Sequence, residues 1–311
     1  MDARLRITAL LTTSALALTL AACGEDDTAT DDPTPAGGTS TASEEPSASA
    51  TPSASASASP TEGAGDGGSG SDGGPETTVP VYFAGETPQG VRLYREFRRV
   101  SGDPLTEAAE LLTTGDALDP NYRSLWPEGT FGSVSVQDGA IVAQVDDDSW
   151  SARGGLSANG ARLAAQQLVY TLQGVEQQRL PVRVVDGSGT PVALFGIDGD
   201  ITQAAPLEVL ALVSVSGPEE GATVADTFTA AGVASSFEAT VPWQVRDGGG
   251  EVVLDGFATA EGWMDKLYPW ESEVDVSSLD PGTYTFVAMT DDPSGGEGGG
   301  PTEDSKTIVV E

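Results

Sequence analysis

Few side chains in this sequence could perform chemistry, and their types restrict it. Histidine does not occur, and cysteine occurs once, as Cys23. Ser-His-Asp and Cys-His nucleophile systems, histidine general bases and ordinary zinc sites are therefore removed together. One thiol cannot close a disulfide within the chain. Carboxylates remain: 48 Asp and Glu stand against 14 Lys and Arg, a formal net charge of −34. Carboxylate pairs are the machinery of glycoside hydrolysis, but their spacing in three dimensions is not written in a sequence. Asp146-Asp147-Asp148, Asp198-Gly199-Asp200 and Asp291-Asp292 offer the hard oxygen ligands that calcium takes. None has the loop spacing of an EF-hand, and solvated loop acids are the better reading. No catalytic residue, no metal site and no cofactor is expected.

Binding chemistry has two candidates. Arg92, Arg95, Arg98 and Arg99 form the one basic cluster. They either pair with acids of their own domain or receive a carboxylate or phosphate from outside, such as a wall polymer. Trp263, Tyr268 and Trp270 lie in a segment flanked by Gly and Pro that reads as a loop. Exposed there, they would stack on sugar rings or dock a partner. Packed in a core poor in aromatics they would be structural, and that reading weighs more. Glu238 lies between Phe237 and Ala239 and is expected on the opposite face, as a surface acid.

The acidic surface repels nucleic acid and anionic headgroups, which leaves basic, neutral or cation-mediated partners. Arg4 and Arg6 precede an apolar run from Ile7 to Leu20. This is the pattern of a secretory signal, too short for a comfortable membrane span. The stretch Leu20-Ala21-Ala22-Cys23-Gly24 resembles the lipobox of bacterial lipoproteins. The resemblance implies removal of residues 1–22, a diacylglyceryl group on Cys23, and residence on the extracytoplasmic face of the cell membrane. Two acyl chains hold where one is marginal, at about 0.8 kcal/mol per buried methylene. Residues 24–78 carry Ser-Ala repeats, Pro steps and a Gly/Asp/Ser stretch, with no aromatic residue and no Lys or Arg. Burial cannot offset chain entropy in such a segment, so residues 23–78 are expected to be a disordered tether.

Residues 79–201 change character. Val79 to Phe83 and Val91 to Val100 read as strands. Asp103-Pro104 caps and opens a helix whose apolar stripe includes Leu105, Ala108, Ala109, Leu111 and Leu112, with Gly115 as its stop. Val134 and Val136 return through Asp138-Gly139 to Ile141, Ala143 and Val145, a hairpin with Val136 opposite Ile141. A second helix carries Ala161, Ala165, Leu168, Leu172 and Val175 on one face and is expected to stop near Gly174. Val182 and Val184 form a strand that turns at residues 186–189 towards Val192 and Leu194. The order is ββαββαβ(β), an α/β or α+β domain. Val79-Pro80-Val81-Tyr82-Phe83, Ala108-Ala109-Glu110-Leu111-Leu112, Pro127-Glu128-Gly129-Thr130, Gln166-Gln167-Leu168-Val169-Tyr170 and Val182-Arg183-Val184-Val185-Asp186-Gly187 resemble the GerMN domain of spore germination proteins. That resemblance carries no catalytic residues.

In residues 205–311 helical periodicity disappears and turn signals recur. Phe237, Ala239, Val241, Trp243 and Val245 alternate, and Pro242 among them suggests an edge or a bulge. Val252 to Phe257, Tyr284 to Ala288 and Thr307 to Val310 read as further strands. About seven strands in an immunoglobulin-like sandwich are expected. Gly256-Phe257-Ala258-Thr259-Ala260-Glu261-Gly262 and Pro281-Gly282-Thr283-Tyr284 resemble the immunoglobulin-like domain of bacterial spore germination.

The expected architecture is thus a tether, an α/β (α+β) GerMN-like domain and an all-β sandwich. The expected role is a non-enzymatic binding or scaffolding module of the cell envelope. It would be held to the membrane through lipid on Cys23 and would face an envelope protein or a cell-wall polymer, with no nucleic acid. The alternative is a carboxylate-dependent cell-wall glycan hydrolase, which requires a cleft with two carboxyls about 5–10 Å apart. A solute-binding lipoprotein ranks below both, because one of the two domains is a sandwich rather than an α/β lobe.

Overall fold

The computed structural model describes residues 76–146, 149–297 and 299–311. Cys23, the lipobox and the tether up to residue 75 lie outside the described residues, as do Asp147 and Asp148.

Apolar alternation in the first strands produces a long antiparallel ribbon of β1 (Glu76–Thr87) and β2 (Gly90–Ser101). Helix α1 (Pro104–Thr114) starts as its sequence requires. Asp103 accepts a hydrogen bond from the Thr106 amide at 2.9 Å, and Gly115 closes the helix at φ 71°. Strands β3 (Phe131–Gln137) and β4 (Ala140–Val145) form the expected hairpin with Val136 opposite Ile141. Its turn places Asp138 and Gly139 at φ 49° and 75°, the primed geometry that matches strand twist. Helix α2 (Ala158–Glu176) follows, and β5 (Val182–Val185) pairs parallel with β4. The order ββαββαβ is as read from the sequence. Val81, Phe83, Leu112, Ile141, Leu168 and Leu172 share its core.

Two local expectations are corrected. Gly174 does not stop α2; the helix runs to Glu176, and Gln177 caps it at φ 56°. Gly174 serves close approach instead, since a Cβ there would lie 2.7 Å from the Pro80 ring. The segment after residues 186–189 makes isolated bridges, Val185 with Pro191 and Leu194 with Ile197, rather than a strand.

The second domain begins with the short helix α3 (Pro206–Val209). Strands β6 (Val213–Gly217), β7 (Ala222–Val224), β8 (Thr227–Ala234), β9 (Thr240–Arg246) and β10 (Val252–Thr259) follow. Strands β11 (Tyr268–Asp275), β12 (Gly282–Met289) and β13 (Glu303–Val310) complete it. One sheet has the order β10-β9-β12-β13-β7 and the other β11-β8-β6, eight strands where about seven were expected. Val215, Ala230, Val241, Val274, Phe286 and Ile308 fill the space between them.

The alternation from Phe237 onward holds only from Thr240. Phe237–Ala239 is a 3-10 turn, with Glu238 at φ 51° and Ala239 at φ 61°. Glu238 is exposed, as expected, but through this turn rather than through strand alternation. Strand β9 is not an edge, for β10 and β12 flank it; β12 pairs only with Trp243 to Arg246, so Pro242 lies beyond the stretch where its missing N–H would break that ladder. Tyr268 and Trp270 are not in a loop; they belong to β11, and only Trp263 precedes it.

The two domains meet closely. Leu93 of β2 bridges Leu210, and the Ala211 amide donates to the Leu93 carbonyl at 2.9 Å. Leu93, Tyr170, Val209 and Leu210 form a small apolar cluster across this joint. The described residues all fall in one compact unit.

Candidate functional site at the domain junction

Strand β2 carries all four arginines of the basic cluster. A strand sends successive side chains to opposite faces. Arg92 and Arg98 therefore share one face, and Arg95 and Arg99 the other. The structure does not bring the four into one patch. Arg92 donates to the Glu208 carbonyl and Arg98 to the Asp116 carbonyl, with Glu96 3.8 Å from Arg98. Arg99 is exposed.

Arg95 is different. Its guanidinium lies 4.8 Å over the Phe97 ring and donates to the Ser216 hydroxyl of the second domain at 2.9 Å. Its Nε is buried with no acceptor. Among the described residues it makes no ion pair. Burial raises the pKa of the neighbouring Tyr82 hydroxyl, and the charge of Arg95 and a hydrogen bond to it partly offset that rise. Arg95 borders three clefts, of which the smallest also carries Glu96, Glu219 and Glu220; the other two are larger. One, of about 500 Å³, runs between Ser216 and the outer face of β8 and β11, with Glu261 and Glu271 on its rim. The other, of about 680 Å³, lies over the Tyr82 and Phe97 face of the ribbon, beside the end of α2. A positive, planar donor without a counter-ion is suited to a carboxylate or phosphate oxygen.

The aromatic trio separates too. Trp270 is 3% exposed and lies inside the sandwich against Gly232. The Tyr268 hydroxyl donates to Asp265 at 2.7 Å, and Lys266 sits 4.6 Å over its ring. Only Trp263 is exposed, edge to face with the exposed Phe237 at 5.2 Å. The three do not form one stacking platform.

Beneath the junction lies a polar cluster that the sequence reading missed. Lys306 of β13 is buried and donates to Asp119 at 2.5 Å and to the Tyr122 hydroxyl at 2.9 Å. Tyr122 donates in turn to Asp304, whose other oxygen accepts from the Val215 amide at 2.6 Å. Glu96 accepts from the amides of Leu118 and Asp119 at 3.0 and 2.8 Å. Asp119, Tyr122 and Glu96 belong to the first domain, Asp304, Lys306 and Val215 to the second. Burial pushes the Asp304 carboxyl up, against the pull of Lys306. Burial also works against the charged form of Lys306, but the carboxylates of Asp304 and Asp119 outweigh it and hold the ammonium above its ordinary pKa. The Tyr122 hydroxyl is pushed well up, by burial and then by Asp304 and Asp119. A readable signal existed: Asp304 and Lys306 occupy the same face of β13 as Ile308 and Val310, two charges at inward positions. A strand read only from Thr307 to Val310 hides it, because β13 begins at Glu303.

The acids weighed as calcium ligands behave as loop acids where they are described. Asp200 pairs with Arg183 at 2.7 Å, and the hydrogen bonds from that arginine hold its pKa down. The Asp292 carboxylate accepts from Ser294 and the Gly296 amide, and the Ser294 bond lowers its pKa first. No cluster that could hold a metal ion occurs among the described residues.

Comparison with known families agrees with this division. Residues 80–188 match the family described as sporulation and spore germination. Residues 212–297 match the immunoglobulin-like domain of bacterial spore germination. No curated protein matches the chain. The chain therefore carries a sporulation and spore germination domain followed by the immunoglobulin-like domain of bacterial spore germination, in the order its sequence motifs suggested.

Proposed function

We propose that this protein is a non-enzymatic binding and scaffolding module, lipid-anchored through Cys23 on the extracytoplasmic face of the cell membrane, that receives an anionic group of an envelope protein or wall polymer at Arg95. The observation that carries the reading is Arg95 itself. In a chain of net charge −34, a junction arginine with a buried, unbonded Nε makes no ion pair among the described residues, although acids line the clefts around it. The germination-type domains and the fixed junction support a role in presenting one rigid surface.

The test uses the Cys23→Ala chain, immobilised and exposed to envelope extract. A retained component should be lost with Arg95→Ala and kept with Arg99→Ala. Raised salt should weaken retention, because exposed charges are screened beyond about 8–10 Å. Retention indifferent to Arg95 overturns the assigned surface. Cys23→Ala should also release the protein from membranes; fractionation like the wild type overturns the anchor. Turnover of a wall glycan, abolished by one Asp or Glu substitution in a folded protein, overturns the non-enzymatic reading.

A further inference from the structure

A second cavity, of about 410 Å³, lies in the first domain, away from the Arg95 clefts. Its walls are Trp126, Trp150, Phe195 and Leu156, with Glu128 and Arg153 at its polar margin. Trp126 and Trp150 meet edge to face at 5.0 Å, and Phe195 meets Trp126 edge to face at 4.9 Å. A mostly apolar cavity of this size with a few polar groups is the usual form of a small-molecule site.

Three further features concern the same cavity. Trp126 satisfies its indole N–H on the Ala164 carbonyl at 2.8 Å, but the Trp150 indole N–H is buried with no acceptor. Phe195 holds φ at 51°, an uncommon and strained backbone state for a bulky residue. The turn from Leu194 to Ile197, closed by hydrogen bonds in both directions, and the bond from the Phe195 amide to the Trp150 carbonyl fix that ring in the wall. Arg153 is exposed and makes no ion pair among the described residues, although acids outnumber bases more than threefold in this chain.

We infer that this cavity binds a small organic acid with an aromatic or branched apolar body and a single carboxylate. The body fills the space between Trp126, Trp150, Phe195 and Leu156. The carboxylate takes the Arg153 guanidinium at the mouth, and the apolar body lies against the face of the Trp150 ring. Glu128, also exposed and in no ion pair among the described residues, disfavours a second negative charge. The inference stands on residues apart from Arg95 and does not rest on the reading of the junction.

The test follows the Trp150 indole N–H by nitrogen-15 NMR on the purified Cys23→Ala chain, assigned with Trp150→Phe. The probes are 3-phenylpropionate and its neutral counterpart 3-phenylpropan-1-ol. Millimolar 3-phenylpropionate should shift the Trp150 resonance and leave that of Trp263 in place. The alcohol should bind about tenfold more weakly, as should the acid with Arg153→Ala, the loss expected for one charged hydrogen bond. Leu156→Trp, which fills the cavity, should abolish the shift; the dispersion of its other resonances reports that it is folded. An unmoved Trp150 resonance, equal binding of acid and alcohol, or an Arg153→Ala variant that binds like the wild type each overturns the proposal.

Discussion

Gly232 shows how much a single missing side chain can decide. It lies in β8, the middle strand of its sheet, opposite Trp270 on one side and Val215 on the other. A Cβ at this position would fall 2.0 Å from the Ser214 carbonyl oxygen and 3.0 Å from the Trp270 ring. The first contact is with backbone, so no rotamer change relieves it; β6 and β8 must part. Gly232→Ala should therefore lower stability by more than the about 1–3 kcal/mol typical of overpacking. Urea unfolding checks this, and a loss under 1 kcal/mol would show that the strands yield more easily than the spacing suggests. Gly248, with open space around it, is the control, where Ala should change little. The arginine cluster teaches the same lesson. Four arginines within eight positions looked like one patch, yet period-two alternation alone sends Arg92 and Arg98 away from Arg95 and Arg99. That separation was legible before any coordinates; the lack of a counter-ion at Arg95 was not, because it depends on which acids of a second domain arrive nearby.

At the level of elements, helix α2 explains why its Gln166-Gln167 pair is so distinctive. Gln167 is fully buried, donates to the Tyr82 carbonyl of β1 at 2.9 Å and accepts from the Leu125 amide at 3.0 Å. Gln166 does the same for the chain leaving the domain: it donates to Thr202 at 3.0 Å and accepts from the Ala204 amide at 2.8 Å. Each side chain thus satisfies one carbonyl and one amide that no strand or helix partner serves. Gln167→Leu keeps the apolar stem but orphans both groups, at about 1–3 kcal/mol for each buried group left unpaired. Denaturant unfolding should show a loss in that range or above it, and a neutral substitution would mean that water reaches the site. The elements themselves were largely visible in the sequence, through caps and alternation at Asp103, Gly115 and Asp138-Gly139. The failures came where a residue has two roles. Gly174 reads as a helix stop from propensity, but it is small because Pro80 passes over it. Phe237 and Ala239 fit the alternation of β9 but belong to a turn with positive φ, which pattern alone does not reveal.

For the molecule as a whole, the buried cluster of Lys306, Asp119, Tyr122 and Asp304 makes the two domains one unit, and it sets a pH response. Lys306, Tyr122 and Tyr94 all have folded pKa values above their ordinary ones of 10.5, 10.0 and 10.0. As pH rises past those values the unfolded chain loses these protons while the folded chain keeps them, so stability present below about pH 10 is lost above it. Asp304 acts in the same sense at the acid end. Its folded pKa is raised, so the folded chain takes up that proton first and this group favours folding as pH falls below its folded pKa. Against it, Asp186, Asp200, Asp275 and Asp292 have lowered values and withdraw their support as pH falls through them. Stability should thus decline more steeply on the alkaline side than in mild acid. Lys306→Met tests the origin of this. It removes the cation paired with Asp119 and Asp304 and leaves buried carboxylates uncompensated, a change that typically costs about 3–5 kcal/mol. The steep alkaline loss should shrink with it, and protease should gain access to the connection around residues 201–206. Adding Asp119→Asn and Asp304→Asn should restore much of the stability, because the penalty lies in the unpaired charge rather than in the lost packing. If Lys306→Met costs less than about 1 kcal/mol, or the triple variant fails to recover, the domains are joined by the Leu93–Leu210 contact and the charged cluster is incidental to their docking.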